Sequence, residues 1–142
     1  MKVCVLGTGS AGNATLVEAG GTRILVDAGF SGRELERRIC EIGLTPSAVN
    51  AIVITHDHRD HTHGVGIFSR RHGTPVYITD RTHNACSGIF RGTETVRSYQ
   101  AGRAFEIGAI RVEPFLTVHD AADPVAVALV DRETEARGGI AT

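Results

Sequence analysis

The segment Thr55-His56-Asp57-His58-Arg59-Asp60-His61 puts three histidines and two aspartates into seven positions. Neutral imidazole and carboxylate are the groups that zinc-like divalent ions take, usually four to an ion. In extended backbone, side chains two apart point the same way, so His56 and His58 can converge on one ion. Asp60 and His61 are adjacent, and a turning backbone can aim both at a second ion beside the first. Paired ions about 3.5–4 Å apart suit hydrolysis, because they activate a shared water and clamp the reacting group. The bland alternative is a solvated histidine-rich loop that picks up metal adventitiously.

Other residues can join this chemistry. His119 opens the stretch His119-Asp120-Ala121-Ala122-Asp123-Pro124 behind an apolar strand, where a third ligand for the first ion could enter. Spacing alone allows a lone surface histidine equally well, and Asp120 competes for the same role. Asp27 ends the apolar run Ile24-Leu25-Val26. It can orient a ligand histidine through a hydrogen bond from outside the metal shell, or serve only as a turn residue. His72 and His83 have no partner at ligand spacing and are expected on the surface; His63 reads as a bystander of the loop.

Gly7-Thr8-Gly9-Ser10-Ala11-Gly12 fits the G-x-G-x-x-G pattern of dinucleotide sites. That fingerprint needs a helix starting at the glycines. Here only six residues precede Gly20-Gly21, and Thr15 and Val17 among them favour a strand. The expectation is instead a tight loop passing close to the site, with Gly9, Ser10, Gly12 and Asn13 presenting backbone amides to an anionic substrate.

The elements that must position these groups follow from periodicity. Strands are expected at Val3–Leu6, Ala14–Ala19 and Thr22–Asp27, the last two joined as a hairpin at Gly20-Gly21. Ser31 with Glu34 three residues on is a capping box; Leu35, Ile39 and Ile42 continue it as a helix that Gly43 closes. The run Ala51–Thr55 is a buried strand feeding the histidine loop. Val65–His72 reads as a helix, Pro75–Thr79 as a strand and Arg81–Phe90 as a short helix. Four further strands are expected at Thr95–Tyr99, Ala104–Ile107, Ile110–Val118 and Val125–Asp131. The order is mixed α/β (α+β) with many hairpins.

Composition bounds the rest. The 142 residues suffice for one core, and 42% apolar with 22% charged residues excludes a disordered chain. A net charge of −1 gives no bulk attraction to nucleic acid. Fourteen of the fifteen basic residues are arginine. Guanidinium suits phosphate gripping, but GC-rich coding explains the bias as well, and Arg33, Arg37, Arg38, Arg70 and Arg71 read as solvated helix faces. No apolar run reaches membrane-spanning length, and the start meets Gly7 too soon for a signal peptide. Cys4, Cys40 and Cys86 are odd in number and far apart, as expected of buried apolar residues in a reducing, cytoplasmic compartment.

The motif His56-x-His58-x-Asp60-His61-x-x-Gly64, with Leu25-Val26-Asp27-Ala28-Gly29 before it, resembles the signature of the metallo-β-lactamase fold superfamily. Gly9-Ser10-Ala11-Gly12-Asn13, Asp27-Ala28-Gly29-Phe30-Ser31-Gly32 and His119-Asp120-Ala121-Ala122-Asp123-Pro124 make the chain most similar to the YycJ/WalJ-type branch. The resemblance implies an αββα sandwich. It implies that His56, His58 and His119 hold one ion and that Asp60 and His61 hold the other, with Asp60 also helping to orient the attacking water. Zinc fits these ligands, and manganese or iron would too. A DNA phosphodiesterase of exonuclease type is the implied activity. Other hydrolases of the fold, acting on a thioester, lactone or lactam, are the alternative, as is a non-catalytic metal-binding or interaction module. Members of the family continue into a bridging aspartate and a later histidine. Residues 1–142 are therefore expected to be an N-terminal portion of one such domain, stopping inside a strand and poorly active alone. A half-sandwich would expose a sheet face and an edge, inviting self-association.

Overall fold

The computed structural model describes residues 1–141. Alternating apolar residues at the start fold into an antiparallel meander of β1 (Lys2–Gly7), β2 (Ala14–Ala19) and β3 (Thr22–Val26). The segment after the glycine-rich loop is thus a strand, so the helix that a dinucleotide fingerprint requires is absent there. From β3 the chain crosses through α1 (Gly32–Glu41) to β4 (Ala51–Val53), through α2 (Arg59–Thr62) and α3 (Val65–His72) to β5 (Val76–Ile78), and through α4 (Asp80–Ala85) to β6 (Val96–Ser98). These last strands add in parallel, giving one sheet in the order β1-β2-β3-β4-β5-β6. The strands β7 (Phe105–Ile107), β8 (Ile110–Leu116), β9 (Val125–Asp131) and β10 (Arg137–Ile140) form a second, antiparallel sheet in the order β10-β9-β8-β7.

Strand pleating sorts the core into two layers. On one face of the first sheet, Leu16, Leu25, Ile52 and Ile78 pack under Leu35 and Ile39 of α1 and Val65 and Phe68 of α3. On the other face, Val17, Ile24, Val26 and Val53 meet Ile110, Val112, Val127 and Leu129 of the second sheet. The result is helices on a sheet on a sheet. Val3 and Val5 of the outermost strand β1 alternate with the inward-facing Leu6 and stay more than half exposed.

Several expectations shift by a few residues, each for a local reason. The strand expected to reach Thr55 is paired in the ladder only to Val53, because Thr55 donates its amide to the Asp27 side chain instead. The strand expected to reach Val118 ends at Leu116, and Val118 stands clear of the protein. The helix expected over Arg81–Phe90 divides at Cys86 into α4 and a 3-10 turn at Ser87–Ile89. Half of the capping box forms: Ser31 Oγ accepts from the Glu34 amide at 3.2 Å, while the Glu34 carboxylate turns to Arg37 and Arg38.

The cysteines also differ from expectation. Cys86 is buried and donates its thiol to Thr82 O at 3.0 Å, Cys4 is half-buried, and Cys40 is exposed because it lies on the solvent side of α1. Burial pushes the Cys86 thiol up to about 11, which keeps it protonated and inert. His72 is half-buried against Phe68 with Nε2 3.0 Å from Glu36, and His83 meets the edge of Phe90. Among the arginines read as solvated, Arg38 stacks on Phe30 and Arg70 pairs with the enclosed side chain of Glu94.

Glu94 ties the 3-10 turn to α3. Burial alone would raise its carboxyl, but the amides of Arg91, Glu94 and Gly92 and the Arg70 guanidinium outweigh that and bring it from 4.5 down to about 2. A depressed carboxylate contributes stability above its unfolded value and loses it as pH falls through the folded one. Urea unfolding of Glu94→Gln should therefore show lower stability at pH 7 and a flatter loss of stability between about pH 4.5 and pH 2 than the parent chain; identical pH profiles would contradict the clamp.

Candidate metal centre

The site lies where β3 and β4 end side by side. Parallel pairing of Val26 with Val53 delivers Asp27 and the Ile54–His61 segment to the same edge. The two loops are laced by backbone bonds: Asp27 N to Val53 O at 2.9 Å, Ala28 N to His61 O at 2.8 Å and Gly64 N to Ala28 O at 2.9 Å. Asp27 itself sits at φ 64°, a left-handed conformation that costs a non-glycine residue free energy and persists only where its surroundings impose it.

Its surroundings are three donors. Asp27 Oδ1 accepts from the Thr55 amide at 2.8 Å, while Oδ2 accepts from Thr55 Oγ1 and from His61 Nδ1, each at 2.7 Å. The carboxylate can only accept, so His61 carries its proton on Nδ1 and presents Nε2 as the basic nitrogen. The same logic runs one step further. The single hydroxyl proton of Thr55 points at Asp27, so the 2.9 Å contact between Thr55 Oγ1 and His56 Nδ1 requires the imidazole to donate. His56 too therefore turns a basic Nε2 outward. His58 has the opposite tautomer: its Nε2 donates to the Asp120 carbonyl, leaving Nδ1 basic. One carboxylate and one carbonyl thus set the protonation of three rings.

These rings converge. The ring centroids of His56 lie 4.8 Å from His58, 4.0 Å from His61 and 4.6 Å from His119; His58 and His119 are 4.8 Å apart. Ligand atoms of His56, His58 and His119 lie within 4.8 Å of one another, a donor set that fits a divalent ion. A second set of the same closeness joins Asp27, His56 and His61. Asp60 Oδ2 stands 3.7 Å from His61 Nε2, so these two also face a common space. Burial, then the neighbouring His61, His119 and His58, pulls His56 down to about 4, so it is a neutral donor at physiological pH.

Neighbouring residues hold the set in place. Asp57, beside the histidines, accepts from the Ala122 amide at 3.1 Å and anchors the loop that brings His119 across. Tyr99 donates to Ile54 O at 2.6 Å from beneath; burial first, then Asp27 and Asp123, holds its phenol well above the usual value. Asn13 donates from Nδ2 to the carbonyl and Oδ2 of Asp60, both at 3.1 Å, and its amide reaches the same carbonyl at 2.8 Å. Its side chain also donates to Gly9 O at 2.8 Å and accepts from the Gly9 amide at 3.1 Å, so it ties the glycine-rich loop to Asp60; Gly9 and Ser10 lie exposed at the rim and Gly12 is buried against the Phe30 ring. His63 is exposed and accepts from Arg59 Nη2 at 3.1 Å. The parts in this framework played by Thr55, Asn13, Asp57 and Tyr99 were not foreseen from the sequence. Only Thr55 and Asp57, flanking His56, carried a signal by position.

A β-sandwich with converging imidazoles and carboxylates at its strand ends is an arrangement suited to a divalent metal centre. Residues 7–136 match the family model described as the metallo-beta-lactamase superfamily, and the chain belongs to that superfamily, whose members typically bind divalent metal ions. It is 35% identical over 127 residues to the exodeoxyribonuclease WalJ of Streptococcus pneumoniae, covering 87% of this chain and 47% of that one. It is 36% identical over 123 residues to the exodeoxyribonuclease YycJ of Bacillus anthracis, covering 85% and 47%. The chain spans about half the length of these relatives. Among solved structures, a metallo-beta-lactamase of Cronobacter sakazakii with a HARLDQ motif superposes with a TM-score of 0.78 at 18% identity, over 92% of this chain and 58% of that one. The helix–sheet–sheet architecture is accordingly that of the metallo-β-lactamase fold.

Gly29 tests the lacing of the two loops. A Cβ there would lie 1.7 Å from the Asp60 carbonyl oxygen and 2.7 Å from the Asn13 amide, both backbone atoms with nowhere to go. Gly29→Ala should lose about 3 kcal/mol of stability, the upper range for overpacking, in a denaturant titration. A loss under 0.5 kcal/mol would show that the loops are not locked together.

Proposed function

We propose that this chain is a metal-dependent hydrolase acting on DNA phosphodiesters. The observation that carries the reading is the convergence of His56, His58 and His119, one ring nitrogen of each lying within 4.8 Å of the others, together with the hydrogen bonds to Thr55 and Asp120 that leave His56 and His58 one basic nitrogen each. In this reading those three side chains hold one ion, Asp60 and His61 hold a second, and Asp27 positions His61 and, through Thr55, His56. Zinc is the ion best suited to the donors, with manganese or iron as substitutes. When bound, such a pair supplies an activated water at neutral pH and neutralises charge on the reacting phosphate.

The chain's own residues then do the following. His56 and His61 donate lone pairs without losing a proton, because Nδ1 keeps it. Asp60, held by Asn13, offers one carboxylate oxygen to orient the attacking water. Thr55 and Asp27 keep the imidazoles from rotating. DNA is proposed as the substrate from the printed names of the two exodeoxyribonuclease relatives. The three free cysteines support a reducing, cytoplasmic setting. No helix among the described residues is long and apolar enough to cross a membrane.

The decisive assay is DNA cleavage with added zinc or manganese. His58→Ala should remove most metal binding by calorimetry and reduce cleavage on the order of 100-fold, as removing one metal ligand or its support does, and a chelator should abolish cleavage. Cleavage that survives both the substitution and the chelator would contradict the mechanism. Asp27→Asn should keep the fold but weaken metal affinity about 10–100-fold in equilibrium dialysis, since an amide has one accepting oxygen and its nitrogen would face a donor, so the three donors from Thr55 and His61 cannot all be met; unchanged affinity would remove Asp27 from the scheme.

A further inference from the structure

Beside Asp60 the surface opens into a hollow of about 350 Å³, lined by Ser10, Ala11, Gly29, Arg59, Asp60 and His63. Six of the fourteen arginines, Arg33, Arg59, Arg81, Arg91, Arg97 and Arg103, form no ion pair among the described residues, and of these Arg59 lines the hollow. Arg23, Arg37, Arg38, Arg70, Arg71, Arg111, Arg132 and Arg137 each pair with a glutamate. Arg59 has no carboxylate partner among the described residues; its guanidinium donates to the ring of His63, which leaves its positive charge facing outward at the lip of the hollow.

The glycine-rich loop lines the same hollow through Ser10 and Ala11. Gly9 at φ 110° lets the backbone fold back, and the Gly12 amide returns to Gly9 O at 3.2 Å. The amides of Gly12 and Asn13 and of Gly9 are used within this loop or on Asp60 and Asn13. Those of Ser10 and Ala11 have no acceptor among the described residues. Two successive amides in a turn, with a hydroxyl between them, can form an anion-binding concavity, and the Arg59 guanidinium lining the same hollow supplies the fork that matches phosphate geometry. Asn13 fixes the loop to Asp60, so this cradle cannot drift from the metal-centre side chains. The volume is roughly tenfold the ~30 Å³ share of a water, room for a phosphate with part of its sugar.

We propose that this hollow is a phosphate subsite, in which Arg59, Ser10 and the Ser10 and Ala11 amides grip a phosphate of the nucleic-acid strand next to the one hydrolysed. The word "next" rests on the hydrolase reading above; the anion site rests on its own groups. Arg59 here grips substrate and takes no part in bond breaking.

The test measures binding of fluorescent single-stranded oligonucleotides, with 5′-phosphate or 5′-hydroxyl ends, to the chelator-treated protein across a salt series. Each phosphate contact on a single strand contributes about 0.7 to the slope of log affinity against log salt. Arg59→Gln should flatten that slope by about 0.7, Arg59→Lys should largely retain it, and Arg132→Gln, whose guanidinium meets Glu106 and Gly108 on the second sheet, should leave it as in the parent. A change in both oligonucleotides assigns an internal phosphodiester; a change confined to the 5′-phosphate form assigns a terminal phosphate, and either supports the subsite. No measurable binding by the parent, an unchanged slope in Arg59→Gln, or equal flattening by Arg132→Gln would overturn it. Because nothing is cleaved in this assay, a missing nuclease activity would count against the hydrolase reading without touching the subsite.

Discussion

A single carboxylate governs this structure. Asp27 accepts from one amide, one hydroxyl and one imidazole, and each of those bonds fixes something larger. The amide bond takes Thr55 off the strand ladder and starts the histidine loop. The hydroxyl bond sets the direction of the Thr55 proton and so the tautomer of His56. The imidazole bond sets His61. Hydrogen bonds to an ionised acceptor are stronger than neutral ones, which is how a non-glycine residue is held at φ 64°. The strain and the site are two aspects of one arrangement: relaxing Asp27 would turn its carboxylate away from Thr55.

The fold supplies what that carboxylate needs. Parallel strands β3 and β4 end at the same level, so the loops leaving them are neighbours, a common situation for functional groups carried on loops above a rigid sheet. Close contact between those loops demands the absence of side chains at Gly29 and Gly64, where a Cβ would fall 1.7 Å from Asp60 O and 2.2 Å from Phe30 O. The second sheet contributes differently. It is joined to the first through Val26, Val53, Val112 and Val127, and the loop after β8 reaches across the sandwich end. His119 rides on that loop, steadied by Asp57 and by the His58–Asp120 contact. The imidazole cluster is therefore assembled from both sheets.

Much of this was legible in the sequence, for identifiable reasons. The histidine window and the Asp27 turn are local patterns whose residue types have few other uses. Helix α3 was bounded correctly because Gly73 stops it in a left-handed conformation. Asp27 reads two ways in the sequence, as a turn residue or as an orienting carboxylate, and the structure gives it both a left-handed φ of 64° and a 2.7 Å bond to His61. What was not legible depends on contacts distant in sequence. The tie from Asn13 to Asp60 spans 47 positions, and no local pattern announces it. Arg70 was read as a solvated residue, yet it meets Glu94 across 24 positions. Strand ends were misjudged wherever a side chain competes with the ladder for an amide, as at Thr55. Periodicity records which face is apolar and is blind to such competition.

The protonation of three rings is a consequence of their neighbours rather than of any ligand. Two-bond proton–nitrogen NMR correlation of the histidine side chains in the metal-free protein, near neutral pH, reads those tautomers directly. The expected result is Nδ1–H for His56 and His61 and Nε2–H for His58, each in one form. Nε2–H at His56 or His61, or rapid averaging between tautomers at both, would contradict it.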